Sequence, residues 1–360
     1  MKRVIVQVIQ HLAMGGIEKL VLELQRKAEP GDEVHIVSLE GRHESSADLV
    51  PGISSECNNL HFIHKQPGVH FAAIVRLYKL LSKLNPTVVH THHIGPLLYG
   101  GIAARLARVP FIIHTEHDAW HLRDQRRRKI ERWALKMVSP HLVADAKLVA
   151  RHLRDRIPGV KPVVIHNGID IELFAPGSRY EARTALGLPS DVKIVGCAAR
   201  MTTVKNHEVL LDAFFWLPTD VHLALAGDGP LNSELHQQAK ELGIEERVHF
   251  LGNQSNMPLF YQAIDLFCLT SKNEGMPLSP LEAQACGKPV VLTDVGGCSE
   301  AVCPHTGMLV EAGDKHALIH AIKLQLRAPS LKNPRSFVEK GKALTHMVRA
   351  YNQIVEPGRV

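Results

Sequence analysis

The chain has 360 residues, 45% of them hydrophobic and 22% charged, which is enough for two cores of ordinary domain size. No apolar run approaches the ~20 residues that a helix needs to cross a bilayer, so any membrane contact is expected to be peripheral. The formal charge of +6 is unevenly shared: residues 1–170 hold 24 Lys and Arg against 16 Asp and Glu, or +8, while the remainder holds 18 against 20, or −2. No recognition motif for nucleic acid accompanies the basic excess, so nucleic acid is not expected as a partner.

In chain order, Arg3 to Ile9 reads as a continuous apolar strand, His11 to Gly16 as a loop, and Ile17 to Lys27 as a helix from its apolar spacing. The pair Gly15-Gly16 between a buried strand and a helix either lets an anion approach free amides or makes a tight turn at positive φ. Val109 to Ile113 reads as a strand, and His114-Thr115-Glu116-His117-Asp118 follows it and ends in a loop. Three readings of this loop stand: hydrogen bonding to substrate, metal ligation with His90, His92 and His93, or ordinary strand-end histidines. Metal sites need three or four converging ligands with supporting partners, which spacing does not show. Residues 123–137 form a strongly basic helical pattern with Ile130, Trp133, Ala134 and Met137 on one side. That pattern suits peripheral contact with an anionic membrane, or equally a solvated helix face with Trp133 in the core.

After Asn167-Gly168-Ile169-Asp170 the strand–helix pattern restarts. Val192 to Ala199 is a strand, Arg200 stands at its exit, and Lys205 precedes a helix from Glu208 to Phe215. Ligands of open α/β sheets bind at the carboxyl edge of the strands, and two cations there suit a pyrophosphate; arginine offers a fixed fork and lysine a mobile point charge. Each attraction is roughly 4 kcal/mol at about 4 Å and an effective dielectric near 20, before desolvation. Two solvated surface cations are the plain alternative. Asn167-Gly168 is turn chemistry, and an Asp-Gly turn follows in Leu225-Ala226-Gly227-Asp228-Gly229-Pro230, with Val248-His249-Phe250-Leu251-Gly252 beyond it. Ala263 to Leu269 reads as a strand ending in a loop that carries Glu274. Ser279 and Glu282, with Pro280 between them, read as a capping box that starts a short helix stopped by Gly287 and Pro289. The amides of Gly275, Met276 and Leu278, around Pro277, then lie near a helix N-terminus. On the plain alternative, Glu282 only completes the cap and Glu274 is solvated.

Glu274, seven residues and Glu282 together resemble the signature of glycosyltransferase family 4, retaining enzymes of GT-B fold. Gly15-Gly16-Ile17-Glu18 resembles the family's Gly-Gly-x-Glu, Arg200 and Lys205 its diphosphate-holding cations, and His117 a histidine beside the reacting sugar. Where the family usually has Lys-Gly, this chain has Lys205-Asn206. The resemblance covers nearly the whole chain. It implies an α/β fold of two Rossmann-like domains facing across a cleft: an acceptor-side domain over 1–166, a donor-binding domain over 167–336, and a C-terminal helix over 337–360 returning to the first. It also implies Glu274, His117, Arg200 and Lys205 as catalytic residues. Gly16, Arg200, Lys205, Gly252, Glu274, Gly275, Met276, Pro277, Leu278 and Glu282 are implied on the donor side, with Glu274 binding sugar hydroxyls and Glu282 the ribose. His93, Glu116 and His117 are implied on the acceptor side.

The expected function is transfer of a sugar, with retention, from a nucleotide-sugar donor to a hydroxyl of a glycan or lipid-linked acceptor in bacterial surface polysaccharide synthesis. No Asp-x-Asp motif is evident, so no cofactor and no metal are expected, with the cations stabilising the departing diphosphate. The same fold also serves epimerases and phosphorylases, and a binding subunit without turnover is the alternative outside the enzymes. Six cysteines, at 57, 197, 268, 286, 298 and 303, lack paired metal spacing, and the four in apolar or helical contexts read as reduced core thiols. With no signal-peptide pattern, they point to the cytoplasm or the cytoplasmic face of the inner membrane.

Overall fold

A computed structural model describes residues 3–12, 15–41, 59–327 and 332–356. The chain divides into two compact units, residues 1–167 with 345–360 and residues 168–344.

The first unit is built on β1 (Val4–His11), β2 (Glu33–Glu40), β3 (Leu60–Phe62), β4 (Val88–His92), β5 (Phe111–Glu116), β6 (His141–Ala144) and β7 (Val163–Val164). They lie in the order β3-β2-β1-β4-β5-β6-β7, every pairing parallel. Val6, Val8 and Ile9 of β1 and Ile36, Val37 and Leu39 of β2 are all buried. Unbroken apolar runs of this kind are what a parallel sheet needs when helices cover both faces. The chain leaves β1 toward β2 on one side and later returns to β4 on the other, so the carboxyl ends of β1 and β4 form a topological switch point, where ligands of such sheets bind.

β5 extends further than the apolar run predicts. His114, Thr115 and Glu116, expected to follow the strand, are its last residues and are buried. Their side chains are satisfied across the sheet: Thr91 Oγ1 lies 2.9 Å from His114 Nδ1, and His90 Nε2 2.8 Å from Thr115 Oγ1. A polar strand end is tolerated inside a fold when every group finds such a partner.

The second unit carries β8 (Lys193–Ala198), β9 (Val221–Ala226), β10 (Val248–Gly252), β11 (Leu266–Leu269), β12 (Val290–Thr293) and β13 (Gly307–Val310). This sheet is also parallel, in the order β10-β9-β8-β11-β12-β13, with its switch point between β8 and β11. The strand expected from Ala263 starts only at Leu266, because Ala263 closes the helix Met257–Ala263.

The single terminal helix expected over 337–355 is two helices. Arg335–Gly341 belongs to the second unit, where the Arg335 guanidinium donates to the carbonyls of Phe174, Ala285 and Ile171 at 2.8 Å each. Leu344–Val355 is almost wholly in the first unit, with the Tyr351 hydroxyl 3.0 Å from Thr115 Oγ1 and Asn352 Nδ2 donating to Glu29 Oε1 at 3.2 Å. The break has a backbone cause: the Ile169 amide donates to the Lys342 carbonyl, and the Leu344 amide to the Ile169 carbonyl, both at 2.8 Å. Those groups are thereby taken out of a continuous helix. Among the described residues no helix is long and apolar enough to cross a membrane. Cys197, Cys268, Cys286, Cys298 and Cys303 are buried and form no disulfide, and Cys57 lies outside the described residues.

Candidate functional site

In the second unit, the loop after β8 carries Arg200 and Lys205 and the loop after β11 carries Ser271 and Glu274, so the switch point brings together residues some seventy positions apart. Lys205 Nζ donates to Glu274 Oε1 at 2.5 Å, and Ser271 Oγ donates to the same oxygen at 2.6 Å. The Glu274 side chain is 9% exposed and that of Lys205 27%. Arg200 is exposed. The end of β12 and the loop after it support the Glu274 loop. Thr293 Oγ1 donates to the Ser271 carbonyl at 2.6 Å and the Gly297 amide to the Gly275 carbonyl at 2.7 Å. Gly296 has φ +55°, and a β-carbon there would stand 1.7 Å from the Glu274 carbonyl oxygen. Only glycine allows this approach.

The helix after this loop, Ser279–Ala285, begins differently from the capping-box expectation. Leu278 is its N-cap, and no side chain caps it. The Glu282 carboxylate, 4% exposed, accepts instead from the Tyr261 hydroxyl at 2.6 Å. Burial, and then the negative charge of Glu282, push the Tyr261 hydroxyl well above its ordinary pKa, so it stays a donor. Met276 and Pro277 are buried and Gly275 and Leu278 are half-buried beside Glu274. Gly252 ends β10 with φ +63°, and its carbonyl accepts from the Gly227 amide at 2.7 Å. Asn206 is in the left-handed region at φ 56° and ψ 43°, a conformation that asparagine tolerates better than other residues with a β-carbon. That accounts for Lys-Asn standing where Lys-Gly is usual.

In the first unit, Gly15 is the N-cap of the helix Gly16–Arg26 with φ −167°, extended backbone open to any residue, so the tight-turn reading of the glycine pair fails. Across the switch point, His92 ends β4, His93 follows it and His117 follows β5. His93 has φ 68° and ψ 166°, a region almost confined to glycine, where strain marks a position held by its surroundings. Its ring faces Glu116 Oε2 at 3.5 Å. Burial works against charge on His93, but Glu116 and then Asp118 raise its pKa overall.

His117 is only 7% exposed, and both its ring nitrogens face groups of its own unit. Nε2 is 3.0 Å from His92 Nδ1, and Nδ1 is 3.4 Å from Asp145 Oδ2. His92 Nε2 in turn meets Gln7 Oε1 at 2.9 Å, and Asn167 Nδ2 donates to Asp145 Oδ2 at 3.2 Å. Burial, followed by neighbouring imidazoles, lowers the pKa values of His90 and His92 well below the usual histidine range, so both rings are neutral at pH 7. The chain Gln7–His92–His117–Asp145 therefore fixes the orientation of the His117 ring. A metal held by His90, His92, His93 and His117 is not formed among the described residues, since His90 and His92 are bonded elsewhere.

Sequence reasoning missed Gln7, Asp145, Ser271 and Tyr261. Each reaches its partner from a different strand or loop, and none sits in a recognisable spacing.

The sequence profile of the glycosyl transferases group 1 family matches residues 178–344, and that of glycosyltransferase family 4 matches residues 14–173. The D-inositol 3-phosphate glycosyltransferase of Mycolicibacterium smegmatis is 37% identical over 251 residues, which cover 63% of this chain and 56% of that protein. The chain thus matches little more than half the length of that relative. The UDP-Gal:α-D-GlcNAc-diphosphoundecaprenol α-1,3-galactosyltransferase of Escherichia coli is 29% identical over 284 residues, 74% of this chain and 72% of that protein. Anabaena HepE, solved in complex with UDP and glucose, superposes with a TM-score of 0.84 over 99% of this chain and 100% of its own at 21% identity, a likeness that shows the GT-B fold. With both halves matched by family profiles in the expected order, the chain belongs to glycosyltransferase family 4.

Proposed function

We propose that the protein is a retaining glycosyltransferase that moves a sugar from a nucleotide-sugar donor to a hydroxyl of a glycan or lipid-linked acceptor in surface polysaccharide synthesis. The observation that carries this reading is the Lys205–Glu274–Ser271 cluster at the switch point of the second unit. A diphosphate held by Arg200 and Lys205 would draw the ammonium away from Glu274 and leave the carboxylate to accept from sugar hydroxyls. Glu282, anchored by Tyr261, is assigned to the ribose. The anomeric carbon–oxygen bond to phosphate breaks, and the acceptor oxygen bonds the same face of that carbon. The acceptor proton passes to the departing diphosphate, so no protein nucleophile is assigned. The cations stabilise the leaving charge, and no metal is invoked at the diphosphate. His117, with His93 and Glu116 beside it, is assigned to the acceptor side.

Support for the donor comes from HepE, whose complex holds UDP and glucose, and support for a lipid-linked acceptor from the E. coli relative, whose name specifies UDP-Gal and a diphosphoundecaprenol. The basic helix Gln125–Val138 supports peripheral contact with an anionic membrane. Ile130, Trp133 and Met137 are 45%, 49% and 46% exposed, beside the exposed Arg126, Lys129, Arg132 and Lys136. Only Ala134 of the expected apolar side is buried, so Trp133 is not a core residue.

The test is a calorimetric screen against UDP-, GDP- and ADP-sugars with and without EDTA, coupled to detection of released nucleoside diphosphate. EDTA-insensitive binding of one donor is expected. Glu274→Ala should abolish transfer while sparing most nucleotide affinity, and Glu282→Ala should weaken nucleotide binding. Unchanged transfer by both variants would overturn the site assignment.

A further inference from the structure

The first unit also holds a cluster that shares Glu116 with the proposed acceptor side but whose other members, His121 and Glu131, the proposed reaction does not use. Glu116 at the end of β5, His121 on the short turn Trp120–Arg123 and Glu131 on the helix Gln125–Val138 converge so that one ligand atom from each lies within 4.8 Å of the others. Glu116 and Glu131 are 0% exposed and His121 is 9% exposed. Two carboxylates wholly out of water within such a distance need a cation between or beside them.

Three details distinguish the cluster from a simple ion pair. His121 Nδ1 lies 3.1 Å from Asp118 Oδ1, which orients the ring and presents Nε2 to the two glutamates. Glu116 Oε1 is held by His114 Nε2 at 2.9 Å, and the other nitrogen of that ring is in turn 2.9 Å from Thr91 Oγ1. Glu131 uses Oε2 for His121 Nε2 at 2.6 Å, while its Oε1 is buried with no hydrogen-bond partner among the described residues. A carboxylate to the outer nitrogen of a histidine, a hydrogen-bonded ligand carboxylate and an unused buried oxygen are the supports that metal ligands have in proteins.

We propose that Glu116, His121 and Glu131 form a site for one divalent first-row metal ion, with Zn2+ bound more tightly than Mn2+. One imidazole and two carboxylates suit both ions, and affinity for the same donors rises from Mn2+ to Zn2+. Tetrahedral coordination at about 2.1 Å sets ligand atoms roughly 3.4 Å apart. The cluster reaches that by opening the His121–Glu131 contact and closing the wider gaps. The ion replaces the proton on His121 Nε2, which leaves to solvent as the metal–nitrogen bond forms. Because the three ligands come from a strand, a turn and a helix, the ion would clip the segment after His117 onto β5. Their spacings of five and ten residues match no short metal motif, which is why sequence reading passed over them.

The test uses full-length untagged protein stripped with EDTA and titrated with Zn2+ and with Mn2+ by calorimetry in two buffers of different ionisation enthalpy, alongside thermal melts. The expected result is one Zn2+ per chain, with proton release, weaker Mn2+ binding at the same stoichiometry, and a rise in Tm. Glu131→Gln should lower Zn2+ affinity tenfold or more. Asp118→Asn, which keeps all three ligands, should lower it about tenfold; it carries the test if Glu131→Gln folds poorly. Absence of one-to-one binding, with a protonated His121 as the only cation in the cluster, would overturn the proposal. One-to-one binding left unchanged by Asp118→Asn and by any folded Glu131→Gln variant would do the same.

Discussion

Glu282 shows how one side chain can satisfy a sequence rule and yet serve another end. Its place three residues after Ser279, with proline between, fits a capping box, but the carboxylate turns inward to the Tyr261 hydroxyl and the helix starts without a side-chain cap. Tyr261→Phe removes a hydrogen bond to a buried carboxylate and should cost about 1.5–3 kcal/mol of stability. It should also weaken nucleotide binding, because Glu282 loses its anchor. Urea unfolding and donor titration of the variant check both effects, and unchanged values in each would show that the hydrogen bond does not hold Glu282 in place. Glu274, Glu282, Arg200 and Lys205 were legible in the sequence because they lie in short recognisable patterns. Their partners were not: Ser271, Tyr261, Gln7 and Asp145 are defined only once strands far apart in the chain lie side by side.

At the scale of elements, apolar runs located the strands well, but polar residues misplaced some of their ends. The strand reads only to Ile113 because apolar patterning stops there, yet cross-strand hydrogen bonds keep His114 to Glu116 in β5. The helix His207–Phe214 opens with another buried histidine, 1% exposed, whose pKa is lowered to about 4 by burial and then by Lys205. Its folded pKa lies below the unfolded value of about 6.5. As pH falls through that unfolded value the unfolded chain takes up a proton that the folded one refuses, so stability is lost, by up to about 3 kcal/mol near pH 4. Thermal melts at pH 7.5 and pH 5 should show a drop in Tm that shrinks in His207→Leu. An equal drop in the variant would assign the acid lability to other groups.

At the scale of the whole molecule, the division of charge follows the division of the fold. The first unit, which carries the helix Gln125–Val138, holds 26 Lys and Arg against 16 Asp and Glu, or +10, and the second holds 16 against 20, or −4. If that helix meets anionic lipid, the protein should cosediment with phosphatidylglycerol vesicles and not with phosphatidylcholine. Trp133→Ser should reduce binding, and added salt should weaken it by screening. Equal binding to both lipids would sink the electrostatic reading.

The backbone bonds joining Ile169 to Lys342 and Leu344 lie where the second unit begins and ends. Gly168 belongs to the same seam, since a β-carbon there would stand 2.7 Å from the Leu344 α-carbon. Topologically, the second unit is thus an insertion whose entry and exit touch, and domains of that form tolerate being grafted. Two cuts, after Asn167 and after Leu344, would lift it out as a cassette and accept a relative's counterpart without altering any strand of either sheet.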